Sequence, residues 1–401
     1  MLNKSIVYIK NNFKVGEKMT HVFIIGSKGI PANYGGFETF VDNLVSRNSN
    51  NSIKYHVSCL NNGEKNFIYN GAECFNVDVI NIGSAKAILY DIKSLSKCIN
   101  YIEKNNIESP IIYILACRIG PFLGFFKRRI KKDNIKICVN PDGHEWKRSK
   151  WNKLVKKYWK ISEMYCVRFA DLLICDSKEI EKYINNEYKQ YKPRTVFIPY
   201  GAETSSSIVK DNSKELEIWH KKNGVKKNEY YLIVGRFVPE NNFETMIREF
   251  MISKTEKDLV IITNIVENKF YYDLLRKTNF TADKRIKFVG TLYDKELIKK
   301  IRENAFAYIH GHEVGGTNPS LLEALASTSI NILLDVKFNR EVGQDAALYF
   351  NKTNGSLSEL IDKVEMFSDK EIKTYKEKAI KRIEKNYTWD KVILQYEKIF
   401  E

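Results

Sequence analysis

Short runs of apolar residues alternate with amphipathic stretches along the first half of the chain. Residues 21–26 (HVFIIG) form a β-rich apolar run that ends in glycine, and Phe37, Phe40, Val41 and Leu44 follow at helical spacing. Further strands are predicted at residues 55–60, 77–80, 111–116, 135–140 and 172–176, and a helix at 88–104. Strands that alternate with helices indicate an α/β fold with a parallel, doubly wound sheet.

The polar stretch 203–213 (ETSSSIVKDNS) interrupts this pattern, and we interpret it as a linker. A second set of strands is predicted after it, at residues 230–234, 259–263, 286–289, 305–310 and 330–334. We therefore predict two Rossmann-like domains, 19–202 and 214–378, that face a central cleft. Residues 1–18 are interpreted as an N-terminal extension, and residues 379–401 as a helix expected to pack back on the N-terminal domain.

Length and composition set the broad class. The chain has 401 residues, enough for two domains. No apolar run approaches the roughly 20 residues that cross a bilayer, and residues 1–18 lack the apolar core of a signal peptide. The seven cysteines are odd in number and form no C-x-x-C pattern, which is typical of reduced residues in a cytosolic protein. We expect a cytoplasmic location.

The formal net charge of +16 favours an anionic partner: a phosphorylated ligand, an anionic lipid surface or nucleic acid. The excess is concentrated between residues 127 and 160, where lysines and arginines greatly outnumber acidic residues. The sequence therefore predicts a basic face on the N-terminal half.

A glycine-rich loop follows the first predicted strand, at residues 26–38. Gly35 and Gly36 let a ligand approach the backbone closely, and the helix after them points free N–H groups toward it. The loop lacks both the G-x-G-x-x-G fingerprint and the G-K-[ST] of a P-loop. We interpret it as a ligand-facing loop rather than a simple turn.

Three ionisable residues surround a glycine in the segment 139–148. Asp142, His144 and Glu145 have the chemistry to polarise an acceptor hydroxyl or to stabilise positive charge on a sugar ring. A functional role is favoured for Asp142 over helix capping. For His144, a functional role and a plain surface position remain equally open.

Two further loops follow strands of the second half. Arg236 comes directly after a predicted strand and a glycine, where its guanidinium would face phosphate oxygens. Residues 310–325 combine a strand, a glycine-rich loop and a helix that begins near a proline, the parts of a diphosphate cradle. Glu323 lies early in that helix, where it would accept the hydroxyls of a ribose. Metal binding by His310 and His312 is disfavoured because no third ligand has suitable spacing.

Together these loops resemble the GT-B glycosyltransferases of family 4, and specifically the bacterial rhamnosyltransferases of capsule and cell-wall polysaccharide synthesis. The segments that carry the resemblance are IIGSKGIPANYGGFETF, NPDGHEWKRSKW, VGRFVPENNFETMI and HGHEVGGTNPSLLEALA. The resemblance implies a donor, dTDP-β-L-rhamnose, held mainly by the C-terminal domain. It also implies retention of anomeric configuration and no requirement for a cofactor or metal.

The same resemblance assigns roles to residues of this chain. The catalytic candidates are Asp142, His144 and Arg236. The donor-binding candidates are Gly35, Gly36, Arg236, Asn241, Gly315, Gly316, Thr317, Asn318 and Glu323. The acceptor-binding candidates are Asn33, Tyr34, Glu38, Glu145 and Arg148.

The chain departs from the pattern of the wider family in three of these motifs. Asn241 and Asn242 stand where a lysine is frequent, so Arg236 and backbone amides would have to neutralise the phosphates. Gly315 occupies the first acidic position of the E-x7-E motif, which argues against a catalytic glutamate there. A histidine is usual near the position aligned with Asp142, so His144 competes with it for that role.

Phe125, Phe126, Ile130 and Trp151 are interleaved with the basic residues between 127 and 160. This composition favours docking on the anionic inner face of the cytoplasmic membrane. A lipid-linked saccharide acceptor, such as undecaprenyl-diphosphate-linked N-acetylglucosamine or an undecaprenyl-diphosphate-linked glucose oligosaccharide, would be reached there. Three other functions remain open: a transferase of the same fold that uses another nucleotide sugar, a sugar-nucleotide epimerase of that fold, and a basic nucleic-acid-binding protein. No recognised RNA-binding motif occurs, so specific nucleic-acid binding ranks last.

Overall fold

The computed structural model describes residues 19–32, 35–60, 65–148 and 150–401. The predicted extension 1–18 lies outside these residues. The strands of the first lobe are β1 (Thr20–Ile25), β2 (Ile53–Leu60), β3 (Phe67–Tyr69), β4 (Ala72–Val77), β5 (Ile111–Leu115), β6 (Lys136–Asn140), β7 (Leu172–Cys175) and β8 (Thr195–Phe197). Its helices are α1 (Gly36–Ser46), α2 (Lys86–Asn105), α3 (Gly120–Lys132), α4 (Lys153–Phe169) and α5 (Lys178–Glu187).

The second lobe is built from the strands β9 (Tyr230–Val234), β10 (Asp258–Ile262), β11 (Ile286–Phe288), β12 (Ala307–His310), β13 (Ile330–Leu334) and β14 (Leu348–Phe350). Its helices, with those of the C-terminal segment, are α6 (Lys214–Asn223), α7 (Phe243–Ile252), α8 (Lys269–Thr278), α9 (Lys295–Glu303), α10 (Pro319–Ser327), α11 (Lys337–Gly343), α12 (Ser356–Glu365), α13 (Asp369–Asn386) and α14 (Trp389–Phe400).

The two sheets have a doubly wound topology. The strand order is β3-β4-β2-β1-β5-β6-β7-β8 in the first sheet and β11-β10-β9-β12-β13-β14 in the second. All pairings are parallel except β3 with β4. Central strands such as β5 are buried along their whole length because helices cover both faces. The predicted α/β fold with two Rossmann-like sheets is therefore confirmed.

The strand order reverses between β1 and β5 in the first sheet and between β9 and β12 in the second. Ligands of open parallel sheets bind at such reversals, beyond the carboxyl ends of the strands. The loops after these four strands therefore form the region where a ligand is expected.

Several predicted elements differ from the structure. The strand predicted at 77–80 was wrong: the strand is β4, which ends at Val77, and residues 78–82 have no regular structure. The hydrophobic residues Val79 and Ile80 suggested a strand, but Ile80 is exposed. The short edge strands β3, β8 and β14 were not predicted, whereas the equally short β11 was predicted within residues 286–289.

The C-terminal segment returns to the first lobe as α14 rather than as one helix over 379–401, since α13 ends at Asn386. The hydroxyl of Tyr396 lies 3.0 Å from that of Tyr113 on β5. The Glu397 carboxylate accepts the backbone N–H of Ser49 at 2.8 Å. Apolar side chains of α14, α10 and the first sheet share one continuous core, which joins the two lobes.

Candidate active site

A cleft of about 1140 Å³ lies between the lobes. Its walls come from loops at the carboxyl ends of strands in both sheets, together with the first turns of α1 and α10. This volume is enough for a nucleotide sugar with room for part of an acceptor.

Gly35 and Gly36 lie where the first loop enters α1. Gly35 has φ 127°, a conformation that favours glycine. Within the part of the chain that the structure describes, no side chain caps the first turn of α1, so its N–H groups can meet a ligand in the cleft. A Cβ atom on Gly36 would lie 3.9 Å from Cγ of Pro319, so the N-termini of α1 and α10 face each other across the cleft.

Two of the predicted acceptor-binding residues, Asn33 and Tyr34, lie outside the described residues. A third, Glu38, lines the cleft, but its carboxylate accepts the backbone N–H of Lys28 at 2.7 Å. Glu38 therefore stabilises the first loop through a hydrogen bond to its backbone, a structural role that its position in the sequence did not indicate.

The loop before α10 sits at the seam between the lobes. Gly315 has φ 137°, and Asn318 caps the helix by accepting the N–H of Ser320 at 2.9 Å. The Thr317 hydroxyl donates to the backbone carbonyl of Asp176, which belongs to the other lobe. The positive end of α10 is thereby fixed against the cleft, where it favours an anionic group.

Arg236 is exposed in the cleft, and its guanidinium forms no ion pair with any carboxylate of the described residues. Its loop is held by Asn241, whose amide donates to the Arg236 carbonyl at 2.6 Å. The amide oxygen of Asn241 lies 2.7 Å from Nδ1 of His312. Both polar ends of Asn241 are therefore occupied within the protein.

His312 lines the cleft beside this loop. Burial, together with the charges of Arg148 and Arg236, lowers its pKa to about 4, so the imidazole is neutral at neutral pH. His310 is also buried, with its pKa lowered to about 3 by desolvation and by His312. Within the described residues, no group of three or more metal-ligating side chains occurs.

Glu323 lines the cleft and is partly exposed. Its carboxylate pairs with Arg302 at 2.6 Å, and Arg302 is buried. Glu323 is thus held in one orientation, with part of its carboxylate still open to the cleft. The sequence pattern did not identify Arg302, which is on a different helix.

The two rival candidates of the second motif lie in different environments. Asp142 lines the cleft, and its N–H donates to the side chain of Asn140 at 2.8 Å. His144 is buried and does not line the cleft; its ring packs 4.2 Å from that of Tyr183, measured between centroids. Burial and the charges of Lys147 and Lys160 lower the pKa of His144 to about 4. The geometry therefore favours Asp142 for contact with a substrate.

Glu145 and Arg148 pair with each other at the edge of the cleft. Glu145 also accepts from the indole N–H of Trp151 at 3.0 Å and lies 3.1 Å from the Lys150 ammonium. The Arg148 side chain is largely buried. This network stiffens the basic wall of the cleft and leaves Glu145 few free acceptor positions.

Sequence reasoning missed Asp176, which follows β7 and lines the cleft. It is 3% exposed, and its Oδ1 has no hydrogen-bond partner among the described residues. Burial, with the charges of Asp142 and Glu341, holds its pKa well above the usual range. The only sequence signal was an acidic residue directly after a strand.

The predicted basic face is carried by α3 and α4, which pack on each other. Phe125 is 84% exposed and Leu154 80% exposed, among exposed lysines and arginines of both helices. Phe126, predicted to belong to this surface, is instead buried in the core of the lobe. Among the described residues, none of the helices has the length and apolar character that crossing a bilayer requires.

Comparison with known families divides the chain in two. Residues 19–203 match a domain of unknown function, DUF1972, and residues 215–386 match the glycosyl transferases group 1. No curated protein sequence matches the chain.

Solved structures resemble the whole chain at low sequence identity. The sucrose-phosphate synthase of Thermosynechococcus elongatus has a TM-score of 0.74 and 14% identity, over 96% of this chain and 98% of that one. The E. coli trehalose-6-phosphate structure bound with UDP-2-fluoro glucose has a TM-score of 0.71 and 11% identity, over 95% and 99%. Anabaena HepE in complex with UDP has a TM-score of 0.67 and 12% identity, over 95% and 99%. The chain therefore has the GT-B fold of these structures, and residues 215–386 match the model of the glycosyl transferases group 1.

Proposed function

We propose that this protein is a retaining glycosyltransferase that moves a sugar from a nucleoside diphosphate to a lipid-linked saccharide. The observation that carries the proposal is the position of Arg236: an arginine without an acidic partner among the described residues lies in the same cleft as the N-terminus of α10. An exposed cation without an acidic partner among the described residues and a helix dipole together suit a diphosphate leaving group.

In the proposed reaction, the bond between the sugar C1 and the diphosphate oxygen breaks while the acceptor oxygen bonds to C1 on the same face. The proton of the acceptor hydroxyl passes to an oxygen of the departing phosphate, so no protein nucleophile is needed. Arg236 and the α10 amides stabilise the negative charge that grows on the diphosphate. Asp142 faces the sugar and stabilises the positive charge that develops on its ring.

The donor side of the cleft has the parts that a nucleotide needs. Glu323, oriented by Arg302, would accept hydroxyls of the ribose, and the loop 315–318 would hold the diphosphate. Asn241 would act indirectly by holding the Arg236 loop. The sequence resemblance favours dTDP-β-L-rhamnose as donor. The relatives whose structures contain a nucleotide carry UDP or a UDP sugar, which makes UDP sugars the necessary comparison.

The acceptor is proposed to approach along the first lobe from the cytoplasmic face of a membrane. Exposed Phe125 and Leu154 would enter the interface of the lipid, and the surrounding lysines and arginines would bind anionic headgroups. The net charge of +16 supports this docking.

Purified protein incubated with dTDP-β-L-rhamnose, UDP-glucose and UDP-N-acetylglucosamine tests the proposal. Each donor is supplied with farnesyl-diphosphate-linked N-acetylglucosamine and, separately, without acceptor. Because the proposed transfer retains anomeric configuration, the expected product from dTDP-β-L-rhamnose is a β-linked disaccharide on the lipid. An α-linked product would show inversion instead, and NMR distinguishes the two. Absence of transfer from every donor would contradict a transferase, and conversion of a free donor to an epimer would replace it with the epimerase.

A further inference from the structure

We propose that Arg118 forms a subsite that binds the phosphate or diphosphate next to the sugar that is modified in the acceptor. This inference rests on the proposed function and names the residue of this chain that would recognise the acceptor phosphate. Arg118 follows β5, at the reversal of strand order in the first sheet, and it lines the cleft.

One side of the guanidinium is anchored in the protein. Its Nη1 donates to the carbonyl of Gly26 at 2.8 Å and to the carboxylate of Asp91 at 2.9 Å. Asp91 is completely buried on α2. Burial alone would lower the pKa of Arg118, but the carboxylate of Asp91, with smaller contributions from Asp142 and Glu145, outweighs it, so the pKa is raised and the guanidinium remains charged. The side chain therefore has a fixed position and a permanent charge.

The other side of the guanidinium is open. Its Nε and Nη2 groups have no hydrogen-bond partner among the described residues, although the backbone around Arg118 is firmly held. The Tyr158 hydroxyl donates to the Arg118 carbonyl at 2.7 Å. The side chain is 20% exposed, and the cleft is where it meets solvent. Two adjacent N–H groups in one plane match two oxygens of a phosphate.

Apolar side chains line the cleft beside Arg118, and the carboxylates of Asp142 and Glu145 also act on its charge. Ile88 lines the cleft from α2, and Val155 and Trp159 line it from α4. Leu154, next to Val155, is exposed outside the cleft on the basic face. A phosphate on Arg118 would thus be followed by an apolar path toward the surface proposed to meet the membrane.

Asp91 partly neutralises Arg118, so the pair resembles a structural ion pair. A purely structural pair would be expected to satisfy both partners. Here the second oxygen of Asp91, Oδ1, has no partner among the described residues, and the free edge of Arg118 faces the cleft. The Asp91 carboxylate therefore holds the Arg118 guanidinium in an orientation that leaves Nε and Nη2 toward the cleft.

The test compares acceptors that differ in their charge. Farnesyl-diphosphate-linked N-acetylglucosamine, octyl N-acetylglucosaminide and glucose 6-phosphate are assayed with the wild type, Arg118→Gln and Arg118→Lys. Loss of the guanidinium in Arg118→Gln should lower kcat/KM for the phosphate-bearing acceptors by roughly 10- to 100-fold. The neutral glycoside and the Kd of the nucleotide should stay within about 2-fold. For the phosphate-bearing acceptors, the kcat/KM of Arg118→Lys should lie between those of the wild type and Arg118→Gln.

Arg276→Gln, an exposed arginine on α8, is the matched control. The double variant Arg118→Gln with Asp91→Asn removes the buried charge if the single variant fails to fold. A ratio of charged to neutral acceptor turnover that does not change in Arg118→Gln would overturn the proposal, as would an equal loss for both acceptors. Preference for the lipid diphosphate or for glucose 6-phosphate identifies the source of the phosphate.

A binding measurement separates this inference from the proposed function. Calorimetric titration with farnesyl diphosphate should give weaker binding to Arg118→Gln than to the wild type, whether or not any sugar is transferred. If no donor supports transfer but Arg118→Gln still binds farnesyl diphosphate more weakly than the wild type, the proposed transferase activity is wrong and the phosphate subsite stands. Equal affinity of the two proteins would remove the subsite alone.

Discussion

Gly143 of the first lobe lies directly against Gly315 of the second, so that a Cβ atom on Gly143 would be 2.3 Å from Cα of Gly315. The neighbouring contact is as close, since a Cβ on Gly316 would be 1.8 Å from Oδ1 of Asp176. The two lobes therefore meet through glycines at the point where the sugar is proposed to react.

Gly143→Ala should prevent this close approach. Because the clash is with backbone atoms rather than with a flexible side chain, we expect the lobes to separate and turnover to fall by 10-fold or more, on the order of 1.4 kcal/mol. Small-angle X-ray scattering and kcat measure the two effects. Gly124→Ala on α3 is the control, because its Cβ would make an ordinary 3.4 Å contact with Phe169. Unchanged scattering and turnover in Gly143→Ala would show that the seam is not needed.

Arg236→Ala should weaken nucleotide binding and turnover without loss of fold. A charge-assisted contact with a diphosphate contributes roughly 1.5–3 kcal/mol, which corresponds to about 10- to 100-fold. Calorimetric titration with dTDP and UDP measures the loss, and the unfolding temperature checks the fold. Arg236→Lys should recover part of the affinity, since lysine restores the positive charge but not the two parallel N–H donors of a guanidinium. Normal affinity in Arg236→Ala would exclude the proposed contact.

Asp142→Asn and His144→Phe should affect different quantities. Asp142 faces the cleft, so its replacement should lower kcat strongly and leave the free energy of unfolding nearly unchanged. His144 packs against Tyr183 away from the cleft, so the phenyl ring should largely preserve turnover. Steady-state kinetics and urea unfolding separate the two outcomes. A severe loss of kcat in His144→Phe with normal stability would restore His144 as the catalytic candidate.

The free energy of unfolding should fall as the pH is lowered from 6.5 toward 4. Burial first, then nearby lysines, lowers the pKa of His144 to about 4, so the unfolded chain takes up a proton in this window while the folded protein does not. Each such histidine contributes about 1.4 kcal/mol per pH unit. Urea titrations at a series of pH values should give a shallower slope for His144→Phe than for the wild type. Parallel slopes would mean that His144 titrates normally in the folded protein.

Phe125→Glu should weaken binding to vesicles that contain phosphatidylglycerol. Phe125 is 84% exposed and surrounded by basic residues of α3, whereas Met366, also 84% exposed, lies in the second lobe after α12. Met366→Glu adds the same charge at the same exposure and is therefore the control. Vesicle co-sedimentation should separate the two variants, and equal binding would argue against docking through α3.

The position of several cleft residues could be predicted from local patterns alone. A strand, a glycine and an arginine in sequence were enough to put Arg236 on a cleft loop, and the glycine-rich run before Pro319 was enough to predict the start of α10. Such signals are local because a loop after a parallel strand must lie at the carboxyl edge of its sheet.

Other cleft residues could not be predicted, because their roles depend on distant parts of the chain. The guanidinium of Arg118 is positioned by Asp91 on α2, which lies 27 residues earlier in the chain. Asp176 is enclosed in part by Gly316 of the other lobe. His144 looked like a candidate for chemistry until Tyr183 and Phe338 were seen to enclose it. The sequence suggested that the Glu38 carboxylate would bind the acceptor, but this carboxylate accepts a hydrogen bond from the backbone N–H of Lys28.

By itself, the sequence determined the alternation of strands and helices, the two sheets and the loops that border the cleft, because periodicity and glycine placement are local properties. Only the tertiary structure decided which polar groups in those loops are free and which are already paired. That difference arises because a buried charge or hydrogen-bonding group must find a partner in space, and the partner is often far away along the chain.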